Sequence, residues 1–159
     1  MSDNIRIWVE ISHQPAFRAG GWAFVRAEGR ALSGAAGGER AASPDAIALA
    51  GVLAALADLP ANAAVEVLSA TPQIARLGRR VAELEAGGEA PTEDLALWAQ
   101  IAALMRARAI RTGAAASQPR TPTAFAAAWA ELARDKAKTR PFRAAIPKAN
   151  LAKAGVQFS

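Results

Sequence analysis

The order of strand-like and helix-like segments constrains this chain more than any other feature of its sequence. Three segments rich in β-branched and aromatic residues follow one another near the start, at 5–11, 22–26 and 30–34. Segments with helical spacing of apolar residues then alternate with two short strands, at 64–68 and 109–112. This order, β-β-β-α-β-α-α-β-α, predicts an α/β fold: a mixed five-stranded sheet, three antiparallel strands then two parallel, with helices on both faces.

The local sequence marks where helices begin and which residues fill the core. Ser43-Pro44 and Thr71-Pro72 each place a hydroxyl that can cap a helix before a proline at its first position. The only histidine, His13, is expected in a solvated loop of the first hairpin. Five aromatic side chains fall in strands or on apolar helix faces, and we expect them in the core rather than on a base-stacking platform: Trp8, Trp22, Trp98, Phe125 and Trp129.

Composition excludes several classes of site. With 159 residues the chain is long enough for one domain of ordinary size. It has no cysteine, which excludes disulfides, thiol catalysis and iron–sulfur clusters, and a single histidine cannot supply a multi-histidine metal site. No apolar segment approaches the ~20 residues that span a bilayer, and the start lacks the basic region of a signal peptide. We therefore expect a soluble, cytoplasmic protein without a membrane span.

Positive charge is concentrated near the end of the chain. The net charge is +5, but residues 1–105 carry 8 arginines and 12 acids, whereas residues 106–159 carry 11 cations and 2 acids. We predict a domain at 1–138 and a tail at 139–159 that only a partner would order. The cations predicted to bind that partner are Arg134, Lys136, Lys138, Arg140, Arg143, Lys148 and Lys153. Apolar residues spaced among them predict docking on a larger protein or ribonucleoprotein assembly: Phe142, Ile146, Leu151, Val156 and Phe158.

Four stretches, in order, resemble motifs of one enzyme family. They are GGWA at Gly20–Ala23, VEVLSATPQ at Val65–Gln73, DLALWAQIAAL at Asp94–Leu104 and AELAR at Ala130–Arg134. On these motifs the chain, from about Ile5 to Lys138, resembles a ribonuclease H domain of the ribonuclease HI type. The resemblance implies the same α/β fold.

The resemblance also implies a catalytic site that this sequence lacks. The family holds two divalent metal ions with four carboxylates. The positions that match those carboxylates here are Glu10, Ala46, Thr71 and Ala130. Since one carboxylate of four cannot hold two metal ions, we expect a degenerate member of the family: not an enzyme, with no catalytic residue, no metal site and no cofactor.

Three functions remain open from the sequence. The first, which the sequence favours, is a structural or interaction module, anchored in a larger assembly by the basic tail and without a small-molecule substrate. The second is a protein that binds an RNA–DNA hybrid or duplex without cleaving it. Its further contacts would be Arg76, Arg79 and Arg80, together with Gln73, a position that the resemblance places on the substrate surface. The third is a residual nuclease that holds a single metal ion with Glu10 and Asp45.

Overall fold

A six-stranded mixed sheet forms the centre of the protein in the computed structural model, which describes residues 4–158. The strands are β1 (Asn4–Gln14), β2 (Ala19–Glu28), β3 (Ala31–Arg40), β4 (Ala64–Ser69), β5 (Ala109–Ala114) and β6 (Phe142–Ala145). Their order across the sheet is β5-β4-β1-β2-β3-β6. The first three strands pair antiparallel, and β4 and β5 run parallel to β1. The predicted α/β class and mixed sheet are confirmed, but the sheet has six strands rather than five.

Helices cover both faces of the sheet, as the element order predicts. They are α1 (Pro44–Ala55), α2 (Pro72–Ala75), α3 (Leu77–Glu85), α4 (Leu95–Ala107), α5 (Pro122–Ala137) and α6 (Lys148–Leu151). One predicted helix is divided, because Arg76 separates α2 from α3. None of the helices within residues 4–158 is long and apolar enough to cross a lipid bilayer.

Alternation along β1 assigns its side chains to the two faces. Ile5, Ile7 and Val9 are buried in the larger core on the α1 side, whereas Trp8 is buried in the core on the α5 side. This division follows from the two-residue period of a strand. The start of α1 has the predicted cap, since the Ser43 hydroxyl accepts a hydrogen bond from the backbone N–H of Ala46 at 3.0 Å.

Small residues let α5 lie close against β2 and β3. Ala130 and Ala133 are fully buried in one cluster with Ala23 of β2 and Ala36 of β3. A Cβ atom added to Gly21 would lie 2.2 Å from the Ala130 carbonyl oxygen, so only glycine fits there. Alanine makes up 44 of the 159 residues, and at this interface its small side chain lets the helix pack closely against the sheet.

A buried arginine joins β2 to the end of α1. The Arg26 guanidinium donates to the Ala57 carbonyl at 2.6 Å and to the Asp58 carbonyl at 3.3 Å, and it pairs with Glu28. These carbonyl oxygens follow the last turn of α1, where backbone acceptors have no partner in the helix. Because the charge is paired and hydrogen-bonded, Arg26 is tolerated at 8% exposure.

The prediction that the segment after residue 138 is an unstructured tail is wrong. β6 pairs antiparallel with β3, from Ala35 with Ala145 to Gly38 with Phe142. Of the apolar residues predicted to anchor a partner, Ile146 and Leu151 are almost fully buried in the protein's own core, and Phe142 and Val156 pack partly buried against it. Phe158 stays 36% exposed. The physical reason is that α5 covers only part of its face of the sheet, and this C-terminal segment (residues 139–158) covers apolar surface beside it.

Two contacts hold the end of the C-terminal segment. Gly155 has φ of +85°, and a Cβ atom added to it would lie 2.0 Å from the Arg120 carbonyl oxygen. Farther along, Arg6 of β1 donates to the Gln157 carbonyl at 2.7 Å. The segment is thus attached both to the loop before α5 and to the first strand.

Replacing Gly155 with alanine should loosen the C-terminal segment. The positive φ costs about 1–2 kcal/mol for a residue with a Cβ atom, and the overlap with Arg120 adds roughly 1–3 kcal/mol. Gly87→Ala is a matched control, because Gly87 has φ of +89° but open space around the added Cβ. We expect Gly155→Ala to lower the free energy of unfolding in urea more than Gly87→Ala does, and to speed proteolysis within 139–158. Equal effects of the two variants would contradict this attachment.

Candidate functional site

Glu10 lies in β1 just beyond the part of this strand that pairs with β4. The parallel pairing runs from Asn4 with Ala64 to Trp8 with Leu68, so β4 ends beside Glu10 while β1 continues to Gln14. The residues at the end of β4 bring three donors to the Glu10 carboxylate. One carboxylate oxygen, Oε2, accepts from the Ser69 hydroxyl at 2.9 Å and from the Ala70 backbone N–H at 2.7 Å. The other, Oε1, accepts from the Thr71 hydroxyl at 2.9 Å. The side chain is thereby satisfied by the protein itself at 4% exposure.

We call Glu10, Ser69, Ala70 and Thr71 the carboxylate network, because these four residues are hydrogen-bonded to one another. The Ser69 hydroxyl also accepts from the Thr71 backbone N–H at 3.0 Å, which fixes the turn after β4. The prediction that the Thr71 side chain caps a helix is wrong: it makes no capping bond to α2 and donates to Glu10 instead. The hydroxyl is turned toward the carboxylate, to which it donates a charge-assisted hydrogen bond, and so its oxygen does not accept from the N–H groups at the start of α2.

Burial raises the pKa of Glu10 above its ordinary value, because the charged form loses its hydration. The hydrogen bonds from Ala70, Thr71 and Ser69 act in the opposite direction and offset only part of this effect. The carboxyl group is therefore easier to protonate in the folded protein than in the unfolded chain.

The residues around Glu10 do not fit a pair of divalent metal ions. Of the other matching positions, Ala46 is half-buried at the start of α1 and Ala130 is fully buried against Ala23, the cross-strand partner of Glu10. Within residues 4–158 no three His, Cys, Asp or Glu side chains group as metal ligands would. Asp45 is exposed and lines a separate cleft, so it shares neither a hydrogen bond nor a cavity with Glu10.

A cationic surface with an exposed aromatic ring lies at the same end of the sheet. From α5, Arg134 donates to the Ser12 hydroxyl at 2.9 Å and pairs with Asp135 at 3.1 Å. Lys138 pairs with the same carboxylate at 3.4 Å, and its ammonium lies 4.5 Å from the centre of the Phe17 ring. Phe17 is 56% exposed. The hydrogen bond from Arg134, with the charge of both cations, holds the pKa of Asp135 below its usual range.

The other cations predicted to bind lie at three further places, one of which adjoins Arg134 and Lys138. Lys136 and Arg140 line a cavity of about 510 Å³ beside Phe142, and Asp135, the partner of Arg134 and Lys138, lines it too. Arg143 lies on the α1 side of the sheet, 5.3 Å from the centre of the Trp22 ring. Lys148 and Lys153 belong to or follow α6, which packs near Gly34 toward the opposite end of β3. The single basic tail of the sequence prediction is thus divided over several surfaces.

The predicted residues of the second and third helices lie at a different place. Gln73, Arg76 and Arg80 line a cleft between α1, α2, α3 and α4, whereas Arg79 is exposed and does not line it. His13 also differs from expectation, because it lies within β1 and its Nε2 atom is 2.8 Å from the Ala42 carbonyl oxygen.

Three residues at this end of the sheet were not predicted from the sequence as part of a site. Ser69 and Ser12 bond to Glu10 and Arg134, and Phe17 carries the exposed ring. A serine at the end of a strand has no distinctive sequence signal. A signal existed for Ser12, since Glu10 and Ser12 alternate along β1 and so face the same side.

Replacing Glu10 with glutamine should remove one component of the pH dependence of stability. A raised folded-state pKa means that the folded protein binds the proton more tightly than the unfolded chain. Glu10 therefore stabilises the fold most below about pH 4.5, its unfolded value, and loses this contribution as the pH rises through the folded pKa. In urea titrations from pH 4 to 8, we expect the stability of the wild type relative to Glu10→Gln to fall as the pH rises. Parallel curves would contradict the raised pKa.

Placing an acid at position 71 should destabilise the protein and create a metal response. In Thr71→Asp a second carboxylate would replace the hydroxyl that donates to Glu10, so two negative charges would face each other. At neutral pH we expect the free energy of unfolding of Thr71→Asp to be roughly 1–3 kcal/mol lower than that of Thr71→Asn, whose side chain has the same shape as aspartate but no charge. Millimolar Mn²⁺ should raise the melting temperature of Thr71→Asp alone. A Mn²⁺ shift as large in Thr71→Asn would show that the ion binds elsewhere.

Comparison with known proteins bears on the fold. No protein-family profile and no curated protein matches the chain by sequence. Solved structures do match: the N-terminal RNase H domain of Rv2228c from Mycobacterium tuberculosis, fused to maltose-binding protein, has a TM-score of 0.59 at 22% identity, covering 87% of this chain and 98% of that one. LC9-RNase H1, described as a type 1 RNase H with the type 2 active-site motif, has a TM-score of 0.69 at 12% identity, covering 100% and 88%. The chain has the RNase H fold.

Proposed function

We propose that this protein binds nucleic acid without cleaving it, along the sheet edge that carries Glu10 and Phe17. The observation that carries the proposal is the carboxylate network. At the one matching position that keeps an acid, both oxygens of Glu10 are engaged by donors of the protein. A cationic surface lies at the same end of the sheet, and the fold is the one that RNase H domains share.

The carboxylate network supports the absence of cleavage. Two-metal hydrolysis needs carboxylate oxygens that face the ions and the reacting phosphate. Here the oxygens of Glu10 face Ser69, Ala70 and Thr71, and freeing them would leave a buried charge without hydrogen bonds. The proposal therefore assigns Glu10 to holding β1 against the end of β4.

The cationic surface supports binding to a polyanion. Arg18 directly follows Phe17 in the chain, Arg40 ends β3 opposite Ala19, and both are exposed. The cavity that these two arginines line also carries Glu39, Glu93 and Asp94, so the positive charge beside the Phe17 ring comes from Arg18 and Lys138. Cations contact phosphates and an aromatic ring stacks on unpaired bases, so this combination suits a strand with accessible bases.

The burial of the C-terminal segment also bears on how the protein would bind. The sequence favoured an interaction module anchored in a larger assembly by a free tail. Since Ile146 and Leu151 are already buried in the protein's own core, that anchoring would require β6 and α6 to detach. The proposal therefore places binding on the folded body, and a role as an interaction module is what would remain if nucleic acid does not bind.

Fluorescence anisotropy with labelled single-stranded RNA, duplex DNA and an RNA–DNA hybrid would test the proposal. We expect binding that weakens steeply between about 50 and 200 mM salt, with a slope near −0.7 to −0.9 per phosphate contacted. The double variant Arg18→Ala, Lys138→Ala should reduce that slope by about 2. The charge-matched control is Lys148→Ala, Lys153→Ala, which removes two cations toward the other end of β3 and should change binding little.

Several results would contradict the proposal. Absence of binding to every substrate at 50 mM salt would overturn it and favour a protein partner. Equal losses in the two double variants would show that only net charge matters. Cleavage of the hybrid in Mg²⁺ or Mn²⁺ that Glu10→Gln abolishes would show that the carboxylate network opens for catalysis.

A further inference from the structure

A cleft of about 330 Å³ lies between α1, α2, α3 and α4, apart from the cationic surface at Phe17. Its floor is apolar, since Leu49, Ile74 and Leu77 line it and are at most 3% exposed. The half-buried ring of Trp98 from α4 forms one wall. A recess of this size with apolar walls and a few polar groups is typical of a small-molecule site.

Two arginines on the rim make one side of the cleft positive. Arg76 is exposed and, within residues 4–158, has no carboxylate in ion-pair distance. The guanidinium of Arg80 lies 6.0 Å from the centre of the Trp98 ring and donates one bond, to the Glu89 carbonyl at 3.0 Å. A guanidinium has five N–H donors, so most of those on Arg80 stay available. Both guanidinium groups can therefore donate hydrogen bonds to an anionic group bound beside the Trp98 ring.

Asp45 and Gln73 provide polar groups of a different kind on the same rim. Asp45 lies in the first turn of α1 and, in the described part of the chain, pairs with no cation. Its carboxylate can accept hydrogen bonds from hydroxyl or amino groups, and the Gln73 amide can both donate and accept. The cleft thus combines two arginines, an apolar recess with an aromatic wall, and hydrogen-bond acceptors.

We propose that this cleft binds a nucleoside monophosphate. The phosphate would pair with Arg76 and Arg80, the base would lie in the recess against Trp98, and the ribose hydroxyls would donate to Asp45. A fatty acid would leave Asp45 beside a hydrocarbon chain, and inorganic phosphate would leave the apolar floor uncovered. The volume is near the lower end for ligand sites, which suits one nucleotide and not a longer strand.

This site does not depend on the proposed nucleic-acid binding. The cleft and the cationic surface share no residue, because none of Arg18, Arg134 and Lys138 lines the cleft. The two proposals are tested with different ligands and different variants, so that either can fail while the other stands.

Isothermal titration calorimetry with adenosine monophosphate, adenosine and inorganic phosphate would test the site. We expect the monophosphate to bind more tightly than either of its parts. The double variant Arg76→Ala, Arg80→Ala should weaken that binding about tenfold or more, because charge-assisted hydrogen bonds to phosphate are lost. Arg79→Ala is the matched control, since it removes an exposed arginine of α3 that does not line the cleft, and it should bind as the wild type does.

A second variant tests the recess without changing the charge. Ala48 is 4% exposed and lines the cleft, so Ala48→Met would fill part of the space for the base. We expect Ala48→Met to weaken the monophosphate at least as much as the arginine variant, with the fold checked by circular dichroism. The proposal is overturned if the monophosphate does not bind at about 10 mM, if phosphate alone binds as tightly, or if Arg79→Ala loses as much affinity as the double variant.

Discussion

The buried carboxylate of Glu10 sets the conditions for the whole sheet edge around it. A charge at this depth is stable only with hydrogen bonds, and β4 must therefore end where Ser69, Ala70 and Thr71 can supply them. That requirement fixes the register of β1 with β4 and the turn into α2. The same geometry would bring catalytic acids together in an active RNase H domain. In this chain it brings together one acid and two hydroxyls, and their hydrogen bonds hold β1 against the end of β4.

Much of the fold could be predicted because it depends on local and repeating signals. The alternation of β1, the Ser43-Pro44 start of α1 and the succession of strands and helices each reflect short-range chemistry, and the structure follows them. The meeting of positions 10 and 71 could be predicted only from the family resemblance, since no local signal links residues so far apart in the chain. The structure confirms that they are in contact, through a hydroxyl rather than a metal ion.

The predictions that were wrong concern features that depend on contacts between residues far apart in the chain. Residues 139–158 are rich in cations and prolines, and composition alone predicts a free tail. Whether Ile146 and Leu151 find an apolar surface depends on how much of the sheet α5 leaves uncovered, which no local pattern reports. Phe17 is similar: its exposure and its contact with Lys138 depend on where α5 ends relative to the first hairpin.

The pairing of β3 with β6 has a consequence for how the protein folds. Ala35 pairs with Ala145, so one edge of β3 stays without its partner strand during synthesis until β6, which follows about 100 residues later in the chain, has been made. An unpaired strand edge can pair with other chains, which exposes the nascent protein to aggregation during this interval. The paired part of β3 is rich in alanine and glycine and has no large apolar side chain, so the waiting edge offers a neighbouring chain little surface to pack against. The small residues that admit α5 so closely therefore also make this edge a poor template for misassembly.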